Sequence, residues 1–119
     1  MDKDEITGRC LCGQVSYQVT GKPLHATICH CANCRRASGA QSVAWLTFSA
    51  ENFSFSEPPS QYRSETEAIW SFCGRCGTTL AYQHNRRPGE IDLTVGSLDD
   101  PEAFPPTQQV SVDEKLSWT

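Results

Sequence analysis

Apolar and polar residues alternate over short stretches of this chain, and a single segment carries a helical signal. Residues 14–19, Gln-Val-Ser-Tyr-Gln-Val, put Val15, Tyr17 and Val19 on one face, the period-two pattern of a half-buried strand. Residues 43–48, Val-Ala-Trp-Leu-Thr-Phe, are strand-like and more fully apolar. Further short strands are expected at 53–55, 68–72, 79–82, 91–95 and 110–112. Residues 32–38, Ala-Asn-Cys-Arg-Arg-Ala-Ser, read as a helical turn that Gly39 ends. Pro58-Pro59, Arg87-Pro88-Gly89 and Pro105-Pro106 mark loops. No internal repeat, linker or low-complexity tract interrupts this pattern. The expectation is one mainly β domain over 1–119, mostly antiparallel.

Composition qualifies that picture. With 119 residues there is room for one core of ordinary size. Hydrophobic residues make up 38%, below the usual apolar share, and seven prolines and eight glycines break up long regular elements. So thin a core calls for a staple. Ten Lys and Arg against 14 Asp and Glu give a net charge of −4, which argues against nucleic acid as a partner. No stretch approaches the roughly 18 to 20 apolar residues that span a bilayer. The opening Met1-Asp2-Lys3-Asp4-Glu5 is charged where a signal peptide would be apolar. The expectation is a cytoplasmic protein with no membrane partner.

The chemistry lies in seven cysteines: Cys10, Cys12, Cys29, Cys31, Cys34, Cys73 and Cys76. An odd number without an export signal fits a disulfide scaffold poorly. Three tight clusters, Cys10-Leu-Cys12, Cys29-His-Cys31-Ala-Asn-Cys34 and Cys73-Gly-Arg-Cys76, have the spacing of metal ligands instead. Thiolates in a tetrahedral arrangement favour zinc, with an iron–sulfur cluster as the competitor. A redox C-x-x-C is the rival reading. That motif begins a helix after a parallel strand, and no βαβ pattern surrounds either copy.

A closed structural zinc takes four protein ligands, and a reactive one takes three and keeps a position open. Seven thiols divide accordingly. Cys29, Cys31 and Cys34 are close enough to share one ion, leaving Cys10, Cys12, Cys73 and Cys76 for the other. Spacing alone leaves cross-pairings open, as it does a fourth ligand from His25, His30 or His84. Against His30 stands its place between two ligands, which in an extended segment turns its ring away from the metal. Gly77, just after Cys76, suits the unusual backbone turn of a zinc knuckle.

Four of the seven arginines, Arg9, Arg35, Arg36 and Arg75, lie within two positions of a cysteine. They serve either to stabilise thiolates or, for Arg35 and Arg36, to grip a substrate carboxylate with a planar fork. Arg86-Arg87 reads as a solvated turn. Trp45, Trp70 and Trp118 read as core or rim packing, with one of them as the wall of a substrate pocket in the alternative. Asp99 and Asp100 read as turn or cap residues.

Three motifs carry a resemblance. Gly8-Arg-Cys10-Leu-Cys12-Gly13-Gln-Val15-Ser-Tyr17, Cys29-His30-Cys31-Ala-Asn-Cys34-Arg35 and Phe72-Cys73-Gly-Arg-Cys76-Gly77-Thr-Thr-Leu80, with Val95-Gly96-Ser97-Leu98-Asp99-Asp100-Pro101 and the terminal Val112–Trp118 run, resemble the glutathione-dependent formaldehyde-activating enzyme and centromere protein V family. The match covers residues 8–118. It implies a β-tent fold of short antiparallel sheets, a structural zinc on Cys10, Cys12, Cys73 and Cys76, and a second, catalytic zinc on Cys29, Cys31 and Cys34. It also implies a carbon–sulfur lyase that joins formaldehyde to glutathione as S-hydroxymethylglutathione. A non-catalytic zinc-binding interaction domain, like the centromere protein V branch, is the alternative. Family members often carry a histidine before the final strand; Gln108-Gln109 stands there in this chain.

Overall fold

The computed structural model describes residues 5–119, and two sheets organise them. Strands β1 (Ile6–Arg9), β2 (Ser16–Val19) and β5 (Phe53–Phe55) form an antiparallel sheet in the order β1-β2-β5. The larger sheet has β3 (His25–Cys29), β4 (Val43–Ser49), β6 (Ser60–Arg63), β7 (Ala68–Phe72), β8 (Thr79–His84), β9 (Glu90–Thr94) and β10 (Gln108–Val110) in the order β10-β3-β4-β9-β8-β7-β6. All its pairs are antiparallel except β10 with β3, which run parallel. Helix α1 (Ala32–Ser38) joins β3 to β4. Gly39 closes it in the left-handed conformation at φ 68°, its N–H donating to the Arg35 carbonyl.

Strand pairing assigns side chains to faces, since directly opposed residues point the same way. Leu46 opposes Leu93, which opposes Ala81. These pack with Val15, Tyr17, Val19, Phe48, Leu80 and Ile91 into the main core between the sheets. On the other face Cys29 opposes Val43, Trp45 opposes Thr94, and Trp70 opposes both Tyr82 and Tyr62. There Cys29, Cys34, Val43, Trp45, Ala68 and Trp70 build a second cluster.

Tyr17 ties the small sheet to the large one. Its hydroxyl lies 2.7 Å from Ser97 Oγ, and burial pushes the phenol up to about 12, so it stays a neutral hydrogen-bonding group. The ring occupies the space beside Gly8: a β-carbon at position 8 would come within 2.3 Å of Tyr17 Oη and 2.6 Å of the Ser97 carbonyl. Gly8→Ala is therefore expected to cost about 1–3 kcal/mol through overpacking, read as a lowered denaturation midpoint.

Helix 32–38 and strands 53–55 and 68–72 lie where the pattern puts them. The last strand starts earlier than expected, at Gln108. Strands β1, β3 and β6 went unforeseen. Every residue of β6 is exposed at a sheet edge, so no burial alternation marks it. The solvated turn expected at Arg86-Arg87 also needs correcting. Arg87 pairs with Glu90 at 3.0 Å and, through both guanidinium nitrogens, with the buried Asp92, which accepts a further hydrogen bond from Thr47 Oγ1. Burying Asp92 demands that partner, which a turn sequence does not reveal.

Candidate metal centres

Cys10 follows β1 and Cys73 follows β7, so the first centre joins the small sheet to the large one. The sulfurs of Cys10, Cys12, Cys73 and Cys76 all lie within 4.8 Å of one another. Cys10 and Cys12 are 3.7 Å apart, and Cys12 lies 3.8 Å from Cys73 across 61 positions of sequence. Both segments turn back through glycine in the left-handed region. Gly13, at φ 84°, donates to the Cys10 carbonyl at 3.1 Å, and Gly77, at φ 86°, to the Cys73 carbonyl at 2.7 Å. These turns aim backbone N–H groups at sulfur: Val15 donates to Cys10 Sγ at 3.3 Å, and Arg75 and Cys76 to Cys73 Sγ at 3.4 Å. The Thr78 hydroxyl, 3.3 Å from Cys76 Sγ, leads the hydrogen bonds that hold the Cys76 thiol down at about 5. Four convergent sulfurs with donors aimed at them fit a thiophilic cation held by four thiolates.

The second centre sits on the opposite face of the large sheet. Cys29 ends β3, Cys31 caps α1 and Cys34 lies in its first turn. The three sulfurs lie within 4.8 Å of one another, and among the described residues no histidine or carboxylate completes the group. A hydrogen bond from Cys34 holds the Cys29 thiol down at about 5, against burial; the same contact pushes Cys34 well above its ordinary value, and burial adds to that. Three thiols sharing charge so unequally in so small a space suit a cation that takes all three as thiolates. The donors again include backbone: Cys34 N–H reaches Cys31 Sγ at 3.3 Å.

The Cys31–Cys34 pair does begin a helix directly after a strand, as a redox motif would. The chain leaves that helix into antiparallel β4, however, and the Cys29 sulfur joins the pair. His30 stays out of both sulfur groups: buried, its Nε2 lies 2.7 Å from Gln109 Oε1. His25 and His84 are absent from them too.

The arginines divide. Arg9 Nη1 donates to the carbonyls of Cys10 and Leu11 at 3.2 and 3.4 Å and braces the knuckle backbone. Arg35 and Arg36 ride on α1 beside Cys34, and among the described residues neither is ion-paired; Arg35 Nε is buried without a hydrogen-bond partner. Trp45 and Trp70 pack against the three-cysteine centre at a ring separation of 6.1 Å, whereas Trp118 is 71% exposed. Asp99 behaves as a turn residue, accepting from Thr7 Oγ1 at 2.6 Å.

Three residues of these centres escaped sequence reasoning. Ser111, in a left-handed backbone at φ 55°, follows Val110, which pairs with Cys29; Thr78 Oγ1 lies 3.3 Å from Cys76 Sγ; and Tyr82 packs on the second cluster with its ring 4.6 Å from Trp70. Ser111 and Tyr82 carry no local signal, because strand pairing brings them to the second centre, whereas Thr78 stands two residues from Cys76 and meets it through the knuckle turn.

A small β-rich scaffold carrying one four-sulfur and one three-sulfur centre, each able to hold a metal ion, is the class that this geometry defines. The sequence pattern described as glutathione-dependent formaldehyde-activating enzyme matches residues 5–114, and the chain belongs to that family. A protein of Schizosaccharomyces pombe named an uncharacterized lyase is 30% identical over 113 residues, covering 93% of this chain and 81% of that protein. A Rhodobacter sphaeroides protein of known crystal structure superposes with a TM-score of 0.69 at 25% identity, over 87% of this chain and 99% of its own.

Proposed function

We propose that this protein is a zinc-dependent carbon–sulfur lyase acting on a small thiol–aldehyde adduct, with chemistry of the S-hydroxymethylglutathione type. The observation that carries this reading is the difference between the two centres. Four sulfurs close one coordination sphere, whereas Cys29, Cys31 and Cys34 converge without a fourth protein ligand among the described residues. Zinc at the three-cysteine centre would supply a Lewis acid and favour the thiolate form of a substrate sulfur.

The chain's own residues supply the rest. Trp45 and Trp70 shield one side of the centre from water, and the partly exposed Cys31 marks its accessible side. Three thiolates around a divalent ion leave one net negative charge. Arg35 and Arg36, one turn along the helix, offset it and offer planar forks to the carboxylates of an acidic thiol such as glutathione.

Metal content tests the reading. Elemental analysis is expected to find two zinc ions per chain, falling to one after incubation with millimolar glutathione while thermal stability holds. One ion throughout, or two that never exchange, would mean an empty or closed three-cysteine centre and would overturn the proposal.

A further inference from the structure

The three-cysteine centre adjoins a cleft of about 750 Å3 between α1 and the β6–β7 hairpin. Its sheet side is aromatic. Tyr62 and Trp70 oppose each other across the β6–β7 pair, and Phe72 lies two residues beyond Trp70 on the same face. Tyr62 is 60% exposed on the edge strand, a large apolar surface that the fold itself leaves uncovered. The helix side is polar: Asn33 and Arg36, three residues apart, point into the cleft, while Cys34 between them is buried in the thiol cluster. Glu65 lines it from the hairpin. Trp70 belongs to both the cleft and the packing around the cysteines, so the two share a wall.

We infer that this cleft selects the substrate, and that it is built for a zwitterionic thiol whose sulfur carries a flat apolar group, larger than the single carbon of formaldehyde. The inference rests on the lyase reading of the neighbouring centre. Arg36, without an ion-pair partner among the described residues, meets a carboxylate. Glu65 complements the ammonium group of an amino-acid end. The rings of Tyr62, Trp70 and Phe72 cover the S-linked group, which formaldehyde chemistry alone leaves without a purpose. A cleft of this volume is large enough for both parts of such a ligand. The reaction is then collapse or formation of an aryl or alkyl thiohemiacetal. The carbon–sulfur bond breaks as the adjacent hydroxyl becomes a carbonyl, and the hydroxyl proton passes to sulfur, giving free thiol and aldehyde with no net oxidation or reduction.

Calorimetric titration of the zinc-loaded protein with S-benzylglutathione and S-methylglutathione separates the outcomes. The benzyl compound is expected to bind at least about tenfold more tightly, from partial burial of one aromatic ring. Tyr62→Ala, a change at an exposed edge position, is expected to bring the ratio close to one, and Arg36→Ala to weaken both ligands by a similar factor. Equal affinities in the native protein, or a ratio that survives Tyr62→Ala, overturn the inference. Acceleration of formaldehyde–glutathione exchange above its spontaneous rate, measured alongside, judges the lyase reading separately. Exchange without benzyl selectivity sinks the cleft proposal and keeps the lyase. Tyr62-dependent selectivity without exchange keeps the cleft as a ligand site and sinks the lyase.

Discussion

Cys76→Ser is expected to leave the chain unfolded at temperatures where the native protein is folded, with loss of dispersed amide resonances and of native circular dichroism. The four sulfurs tie the end of β1 to the end of β7, and Cys12 and Cys73 meet across 61 positions. Structural zinc contributes on the order of 10 kcal/mol to small zinc-folded peptides, comparable to the roughly 5–15 kcal/mol that holds a domain together. A serine hydroxyl does not ionise near neutral pH and cannot replace the thiolate. The three-stranded sheet meets the large one through the shared core and Tyr17, and neither sheet closes that core alone, so losing the staple exposes it. A strong chelator should reproduce the effect on the native chain, and added zinc should reverse it. A Cys76→Ser protein that folds with native stability would show that the first centre is not a staple.

Cys31→Ser is expected to behave in the opposite way: the domain stays folded, its zinc content falls by one, and adduct turnover drops to the spontaneous rate. Cys31 is the N-cap of α1, at φ −68° and ψ 155°, with its sulfur accepting from Cys34 N–H. Serine is among the best residues for that position, so the exchange preserves the start of the helix while removing one thiolate. The side chain is only partly buried, and the change leaves no large cavity. Retained turnover would remove Cys31 from the reaction. Unfolding would make the second centre structural as well, and the catalytic reading would lose its support. The contrast between the two variants carries the argument, because each acts as the other's control for general damage.

Much of the fold is legible along the chain where local pattern and burial agree. The Val15–Val19 alternation, the apolar 43–48 run and the Gly39 stop all report forces acting within a few residues. Edge positions are silent. Ser60–Arg63 forms a strand because its neighbour β7 offers hydrogen-bonding groups, and nothing in those four exposed residues announces it. Arg87 reads as loop until Asp92 is brought beside it from β9.

By itself the sequence determined that the chemistry lies in clustered thiols. Thiol affinity for soft cations, a count of seven and the three short spacings point to a four-ligand and a three-ligand metal centre, while cross-pairings stayed open until the fold brought Cys10 and Cys12 beside Cys73 and Cys76. What surrounds those ligands was decided by the tertiary structure. Trp45, Trp70 and Tyr82 come together through the strand order β4-β9-β8-β7, and Ser111 is brought to the Cys29 end of β3 because β10 lies parallel to β3. The physical reason is range. Ligand spacing is set by a metal radius and a few bond rotations, so it is written within six residues of chain at Cys29–Cys34. The walls of a site depend instead on which distant strands pair, and that is decided by burial summed over the whole domain.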